Sequence, residues 1–147
     1  MALRAIDIFD VGYIVSTLQN MRNEIDVCAE SPDEPKYVRE QLQALIKYNS
    51  FIGCVSRDQG FMFGMLTSAW YDPRPKAIEM LLYVHPDFRK SSFASKLITR
   101  FVVEARAAGA CEVIAGTSLG YRTDAVEKLY HKHGFVTTGA NLKLKLE

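Results

Sequence analysis

The sequence is poor in cysteine and has no long apolar run. Its three cysteines, Cys28, Cys54 and Cys111, are widely spaced and form no CxxC pair. This arrangement argues against a disulfide framework and against a zinc knuckle, and it fits a reducing compartment. Acidic residues stand where a signal peptide needs an apolar segment, and no apolar stretch reaches the length of a membrane span. We therefore expect a cytoplasmic protein with no membrane partner.

The sequence also lacks an excess of charge of one sign. Lys and Arg total 18 against 17 Asp and Glu, a net charge of +1. No global field would attract nucleic acid, so we expect no nucleic-acid partner. A chain of 147 residues, 48% of them hydrophobic, can bury one sizeable core but is too short for two ordinary domains. We expect one domain over residues 1–147.

Hydrophobic periodicity divides the chain into helices and strands. Helical spacing occurs in four segments, and short branched or aromatic runs predict strands between them. The predicted helices cover 11–21, 38–46, 93–105 and 123–133, and the predicted strands cover 51–56, 61–70, 77–84 and 111–116, with a break at 71–75 and a final strand or hairpin after 134. This order predicts an α/β layer fold.

The unit from Ala77 to Gly116 reads as strand, helix, strand. A crossover of this kind makes the two strands parallel and favours ligands at the carboxyl end of the first, here His85 to Ala94. Arg89 and Lys90 precede a helix start rich in small residues, where free N–H groups and the helix dipole favour a phosphate. The alternative is a plain helix start with a serine cap and solvated basic residues.

Two ordered motifs resemble those of the GNAT (Gcn5-related N-acetyltransferase) superfamily. Val84-His85-Pro86 followed by Arg89-Lys90-Ser91-Ser92-Phe93-Ala94 resembles its coenzyme A signature, in which V-x-P leads to an R/Q-x-x-G-x-G/A loop. Leu129-Tyr130 with Gly134-Phe135 resembles the family's LY-x-x-x-GF helix end. The resemblance covers roughly residues 50–147 and extends to GNAT-like sequences of tailed phages and prophages that carry Ser and Ala in the loop.

Ser92 departs from the family pattern because it replaces the first loop glycine. Serine does not remove the backbone N–H donors, but it would be strained if the loop required a positive φ there. Ala94 takes the second small position, which the family tolerates.

The resemblance implies a fold, a cosubstrate and a reaction. The fold would be a mixed central sheet of about six to seven strands flanked by about four helices. The reaction would move an acetyl group from acetyl-CoA to a primary amine by direct attack, with no metal. The cofactor contacts implied are the loop Arg89, Lys90, Ser91, Ser92, Phe93 and Ala94 and the strand residues Leu82, Tyr83 and Val84.

The resemblance also implies catalytic roles. Tyr130 would be the general acid that protonates the coenzyme A thiolate, and Glu79 would be the base, acting directly or through water. Tyr130 could instead be an aromatic packing residue. Glu79 could instead be a carboxylate on the open face of the sheet, because a β-bulge would leave open which face its side chain occupies.

Other patterns in the sequence are weaker evidence of function. Gly116-Thr117-Ser118-Leu119-Gly120 matches the G-x-S-x-G nucleophile elbow, but only Asp124, His131 and His133 follow, too close for a hydrolase triad. We interpret it as a small connection after a strand. His131 and His133 are two residues apart on a helix and make a poor metal pair. Cys54 and Cys111 are expected to be core thiols.

An alternative hypothesis is that the protein has this fold but no catalytic activity. A GNAT-fold structural or partner-binding module would also fit, and the missing loop glycine favours it. For the enzyme, the acceptor could be a small amine, an amino acid, an antibiotic or a protein terminus. The resemblance to the family is also compatible with a homodimer.

Overall fold

The computed structural model describes residues 3–24, 34–116 and 123–146. Within these ranges the helices are α1 (Val11–Glu24), α2 (Pro35–Ile46), α3 (Phe93–Ala107) and α4 (Thr123–Lys132). The strands are β1 (Arg4–Ala5), β2 (Phe51–Ser56), β3 (Gly60–Ala69), β4 (Asp72–Val84) and β5 (Glu112–Ile114). All four predicted helices and the four predicted internal strands are therefore confirmed. None of the helices described is long and apolar enough to cross a membrane.

The strands form one sheet in chain order, from β1 to β5. Neighbours from β1 to β4 are antiparallel, whereas β4 and β5 are parallel, as the crossover through α3 predicts. The result is a mixed α/β sheet. Its parallel pair brings the carboxyl end of β4 to the start of α3, where ligands are expected in such folds.

Two apolar cores lie on the two faces of the sheet. On one face, α1 and α2 pack through Ile14 and Leu42 against side chains that include Phe61. On the other, α3 and α4 pack through Phe101 and Tyr130 against alternate residues of the same strands. This alternation is the period of two of a buried strand.

Three expectations at the edge of the sheet are wrong. The sheet has five strands in the described residues, not six to seven, because residues 135–146 form no strand. The segment predicted as a buried strand at 111–116 is a half-exposed edge strand of three residues. Cys54 is buried as predicted, but Cys111 is exposed. These errors share one cause: burial of β5 would require a further strand on its outer side.

The predicted break at 71–75 is also shorter than expected. Trp70 and Tyr71 form the turn, and β4 already starts at Asp72. Pro73 and Pro75 precede Lys76, where the pairing of β4 with β5 begins. They also lie beside a register shift in the pairing of β4 with β3. Proline lacks an N–H group, so a strand accepts it where a ladder bond is absent.

A β-bulge interrupts the centre of β4. Phe63 faces Leu81 while the next residue, Gly64, faces Glu79, so Met80 is the extra residue. A Cβ atom on Gly64 would lie 2.1 Å from the carbonyl oxygen of Ile78. The bulge therefore requires glycine at this position of β3.

A buried carboxylate joins the amino-terminal segment to the sheet. Asp10 is fully buried and accepts hydrogen bonds from Arg4 at 2.6 and 2.8 Å, from Arg57 at 3.0 Å and from the Asp7 N–H at 2.9 Å. Burial disfavours its charge, but these bonds outweigh that cost and hold the pKa of Asp10 below its ordinary value.

The replacement Asp10→Asn should lower the free energy of unfolding by about 2 kcal/mol, because it removes charge-assisted bonds from a buried site. Urea unfolding at neutral pH measures this loss. The stabilisation is present above the ordinary pKa of 3.8 and is lost as pH falls through the lower pKa of the folded state, so the difference should shrink in acid. Glu40→Gln, at an exposed carboxylate on α2, is the control and should change little. An unchanged stability in Asp10→Asn would contradict the role assigned to this carboxylate.

Candidate functional site

Strands β4 and β5 separate halfway along β4. Their pairing runs from Lys76 with Glu112 to Ile78 with Ile114, and in the described residues it goes no further. From Glu79 to Val84, strand β4 is paired only with β3. The outer side of Leu82, Tyr83 and Val84 therefore has no strand beside it among the described residues, and we call this place the cleft between β4 and β5.

Helix α3 begins beside the end of β4. The Ser91 hydroxyl accepts from the Phe93 N–H at 3.1 Å, and the Ser92 side chain forms no cap bond. The next N–H groups, of Ala94 and Ser95, have no acceptor among the described residues. The helix starts at Phe93, as predicted, and presents unpaired donors with the positive end of its dipole, a site suited to phosphate oxygens.

Two basic residues flank these donors in different ways. Arg89 turns back to the strand, where its Nε donates to the Val84 carbonyl at 2.8 Å and its guanidinium lies 5.8 Å from the Tyr83 ring centre. Lys90 is exposed. Arg89 thus connects the loop to the strand while adding positive charge, and Lys90 offers a solvated charge.

Ser92 adopts an ordinary backbone conformation, with φ −79° and ψ 5°. The left-handed region that would favour glycine is not used here. Replacement of the family's loop glycine therefore causes no backbone strain. The argument that this departure favours a module without catalysis no longer applies.

Glu79 and Tyr130 lie at the cleft on the same side of the sheet, the side covered by α3 and α4. Glu79 is half-buried, and its carboxylate accepts from the Gly116 N–H at 3.4 Å. Burial raises the pKa of Glu79 to about 7, and the bond from Gly116 opposes this only in part. Burial, and then the charge of Glu79, also raise the pKa of Tyr130. The two groups therefore interact electrostatically.

The Tyr130 hydroxyl is the one buried side-chain polar atom without a hydrogen-bond partner in the described part of the chain. Tyr130 is 5% exposed, and its ring contacts Phe135 edge-on, with ring centres 5.0 Å apart. Gly134, with φ 89°, turns the chain at the end of α4, and the Phe135 N–H donates to the Tyr130 carbonyl. The predicted helix end therefore positions this phenol, and buried polar groups normally have partners.

A second cleft on the opposite face was not predicted from the sequence. It lies between α1, the turn after β2 and the end of β4, with a volume of about 420 Å³. Its lining carries two carboxylates, Asp58 and Asp87, and no lysine or arginine; the remaining residues are Tyr13, Ser16, Thr17, Asn20, Tyr83, His85 and Phe88. These residues are distant in sequence and form no motif, so only folding brings them together.

Some sequence features fall elsewhere. Cys28 and residues 117–120 of the G-x-S-x-G match lie outside the described residues. His131 is exposed and pairs with the Thr137 hydroxyl at 2.9 Å. The described residues contain no group of three His, Cys, Asp or Glu side chains able to hold a metal ion.

The chain matches the family model described as an acetyltransferase (GNAT) domain over residues 47–137. This match spans more than half of the chain, and the protein therefore belongs to the GNAT acetyltransferase family. No curated protein matches the chain.

Solved structures of acetyltransferases share the fold. A probable acetyltransferase is 16% identical with a TM-score of 0.79, covering 100% of this chain and 99% of its own. A structure described as a predicted acetyltransferase with acetyl-CoA, from Clostridium acetobutylicum, is 18% identical with a TM-score of 0.74, covering 99% of this chain and 96% of its own. An aminoglycoside acetyltransferase from an uncultured soil metagenomic sample, in complex with sisomicin, is 15% identical with a TM-score of 0.73, covering 99% and 96%. At these identities the likeness concerns the fold.

The replacement Glu79→Gln should stabilise the protein in alkali and not in acid. The raised pKa means that Glu79 favours folding fully below its ordinary value of 4.5, and that this contribution is lost as pH rises through about 7. Glutamine keeps the neutral form, so the variant should be more stable by about 1–2 kcal/mol at roughly pH 8.5 and equal in stability near pH 4. Thermal unfolding across this pH range measures the difference.

Glu40→Gln, on the exposed side of α2, is the matched control and should leave stability unchanged at both values of pH. An equal effect of Glu79→Gln in acid and alkali would contradict the burial of an ionisable carboxyl at this place.

Proposed function

We propose that the protein is an acetyl-CoA-dependent N-acetyltransferase that moves an acetyl group to a primary amine by direct attack. The observation that carries this proposal is the pair formed by the buried, unpartnered Tyr130 hydroxyl and Glu79, whose pKa is about 7. In this proposal Tyr130 is the proton donor and Glu79 is the proton acceptor, and Glu79 directly follows the last residue of β4 that pairs with β5. Acyl transfer to an amine needs both.

The residues present fit acetyl-CoA as a substrate. The N–H groups at the start of α3, together with Arg89 and Lys90, suit its pyrophosphate, and Ser91, Ser92, Phe93 and Ala94 form the loop that approaches it. The stretch of β4 from Leu82 to Val84, which has no strand on its outer side among the described residues, suits the amides of the pantetheine arm. The proposed contacts are those that the family signature implies.

In the proposed reaction the amine nitrogen attacks the thioester carbonyl carbon. A nitrogen–carbon bond forms, the carbon–sulfur bond breaks, and the sulfur leaves as a thiolate. Glu79 accepts the proton that the amine must lose, and Tyr130 donates a proton to the thiolate. Tyr130 suits the second role because its phenol is protonated at neutral pH and its hydroxyl has no hydrogen-bond partner among the described residues, and Glu79 suits the first because its pKa lies near neutrality.

The second cleft supports an acceptor that carries positive charge. Its lining combines carboxylates with the aromatic rings of Tyr13, Tyr83 and Phe88, a chemistry that binds ammonium groups. It adjoins β4 through Tyr83 and lies on the face opposite Tyr130, so in this proposal it holds a cationic group of the acceptor other than the amine that reacts. Cationic amines are therefore the first acceptors to screen.

Acetyl-CoA should raise the melting temperature, because a ligand that binds only the folded state stabilises it by mass action, by about 2.7 kcal/mol at a hundred times its Kd. In Arg89→Ala the shift should be clearly smaller, since the loop loses both a positive charge and its connection to Val84. Each shift is taken relative to the same variant without ligand, which removes the variant's own loss of stability.

Arg39→Ala, at an exposed arginine on α2, is the control and should keep the full shift. A folded protein with no shift in acetyl-CoA would contradict the proposal and would favour the hypothesis of a module that does not use this substrate.

Tyr130→Phe should lower kcat by about a hundredfold with acetyl-CoA and a cationic amine, because the proton donor is lost. Its stability should not fall, since the hydroxyl that it removes has no hydrogen-bond partner. Release of coenzyme A in the steady state measures kcat, and urea unfolding measures stability.

Tyr37→Phe, at an exposed tyrosine on α2, is the matched control and should change neither quantity. If Tyr130→Phe kept full kcat, Tyr130 would be a packing residue and not the general acid.

A further inference from the structure

The position of the Tyr130 hydroxyl is not fixed by a hydrogen bond of its own. The hydroxyl is buried and has no hydrogen-bond partner among the described residues. Contacts of the ring must therefore set where the hydroxyl lies. One of these contacts is with Phe135, whose ring meets that of Tyr130 edge-on with the ring centres 5.0 Å apart, an arrangement that aromatic pairs favour. Whatever holds Phe135 in place therefore helps to place the hydroxyl.

Phe135 lies on a segment that turns back along α4. Gly134, with φ 89°, reverses the chain after the helix, and the Phe135 N–H donates to the Tyr130 carbonyl at 3.2 Å. Residues 135–146 form no strand, so no ladder of hydrogen bonds holds this segment. Because glycine has a wide choice of backbone conformations, Phe135 keeps one position only if the segment is attached to α4 at a further point.

Thr137 supplies an attachment of this kind, two residues beyond Phe135. Its hydroxyl donates to the Glu127 carboxylate at 2.6 Å and lies 2.9 Å from Nε2 of His131. A hydroxyl has one proton, which Glu127 accepts here, so His131 donates to the hydroxyl oxygen from a protonated Nε2. Glu127 and His131 are one turn apart on the same side of α4. These three side chains, which we call the Thr137 clamp, join the returning segment to the helix that carries Tyr130.

We propose that the Thr137 clamp positions Tyr130 for catalysis by keeping Phe135 against its ring. Thr137 acts through Phe135 and Tyr130, so it is a positioning residue and not a catalytic one. The inference rests on the proposed function, in which the phenol must lie within hydrogen-bond reach of the leaving sulfur. A displacement of about 1 Å at a reacting group can lower a rate by up to about a hundredfold, so a loose phenol would slow the reaction.

The kinetic test compares Thr137→Val, which removes the hydroxyl, with Thr137→Ser, which keeps it. Thr137→Val should lower kcat by about tenfold and leave the KM for acetyl-CoA unchanged, because the proposed contacts of that substrate lie on β4 and at the start of α3. Thr137→Ser should keep nearly the full kcat. Thr138→Val, at the next residue and also exposed, is the matched control and should change neither quantity.

Adding Thr137→Val to Tyr130→Phe tests whether the clamp acts through the phenol. The double variant should have the kcat of Tyr130→Phe alone, because a hydroxyl that is already absent cannot be misplaced. A further loss of about tenfold in the double variant would overturn the proposal, since the clamp would then act on the reaction by another route.

Nuclear Overhauser effects between the rings of Tyr130 and Phe135 measure the structural step without any acetyl transfer. The native protein and Thr137→Ser should show these effects, and Thr137→Val should show much weaker ones at a melting temperature that proves it folded. Native ring contacts or a native kcat in Thr137→Val would also overturn the proposal. Failure of the proposed function is a separate result: the native protein would show no turnover, while its ring contacts would still respond to Thr137→Val.

Discussion

The separation of β4 from β5 after Ile78 is the constraint on which the site depends. Up to that residue β4 has a strand on each side, and beyond it only β3 remains among the described residues. The bulge at Met80 lies just past this point, and Gly64 lets the two backbones approach closely there. A fully paired β4 would leave no backbone donors or acceptors for a ligand and no space between the strands.

The polar groups at the cleft are stabilised by the layers around them. Glu79 and Tyr130 come from a strand and a helix that pack in the same core, and burial in that core raises the pKa of both. Packing elsewhere in the fold therefore offsets the free-energy cost of burying two ionisable groups in apolar surroundings. Structures usually bear such a cost where the shifted pKa has a chemical use, and the proton transfer that we propose would be such a use.

Much of the fold could be read from the sequence because its signals are local. The apolar periods of α1 to α4 and the glycine after α4 act over a few residues, and each appears where it was predicted. The crossover rule then fixed β4 and β5 as parallel. The outer edge of the sheet was predicted wrongly, because alternation in 142–146 indicates a strand but contains no information on which edge accepts it.

The sequence by itself determined the order of the elements, the family motifs and the candidate loop at 89–94, since each is a short run whose chemistry follows from neighbouring residues. Only the tertiary structure decided that the charge of Glu79 acts on Tyr130, that Ser92 is unstrained, and that Asp58 and Tyr13 line a common cleft. The physical reason is distance along the chain: burial, pKa and cavity shape arise from groups that are brought together only when the sheet and its two helical layers pack.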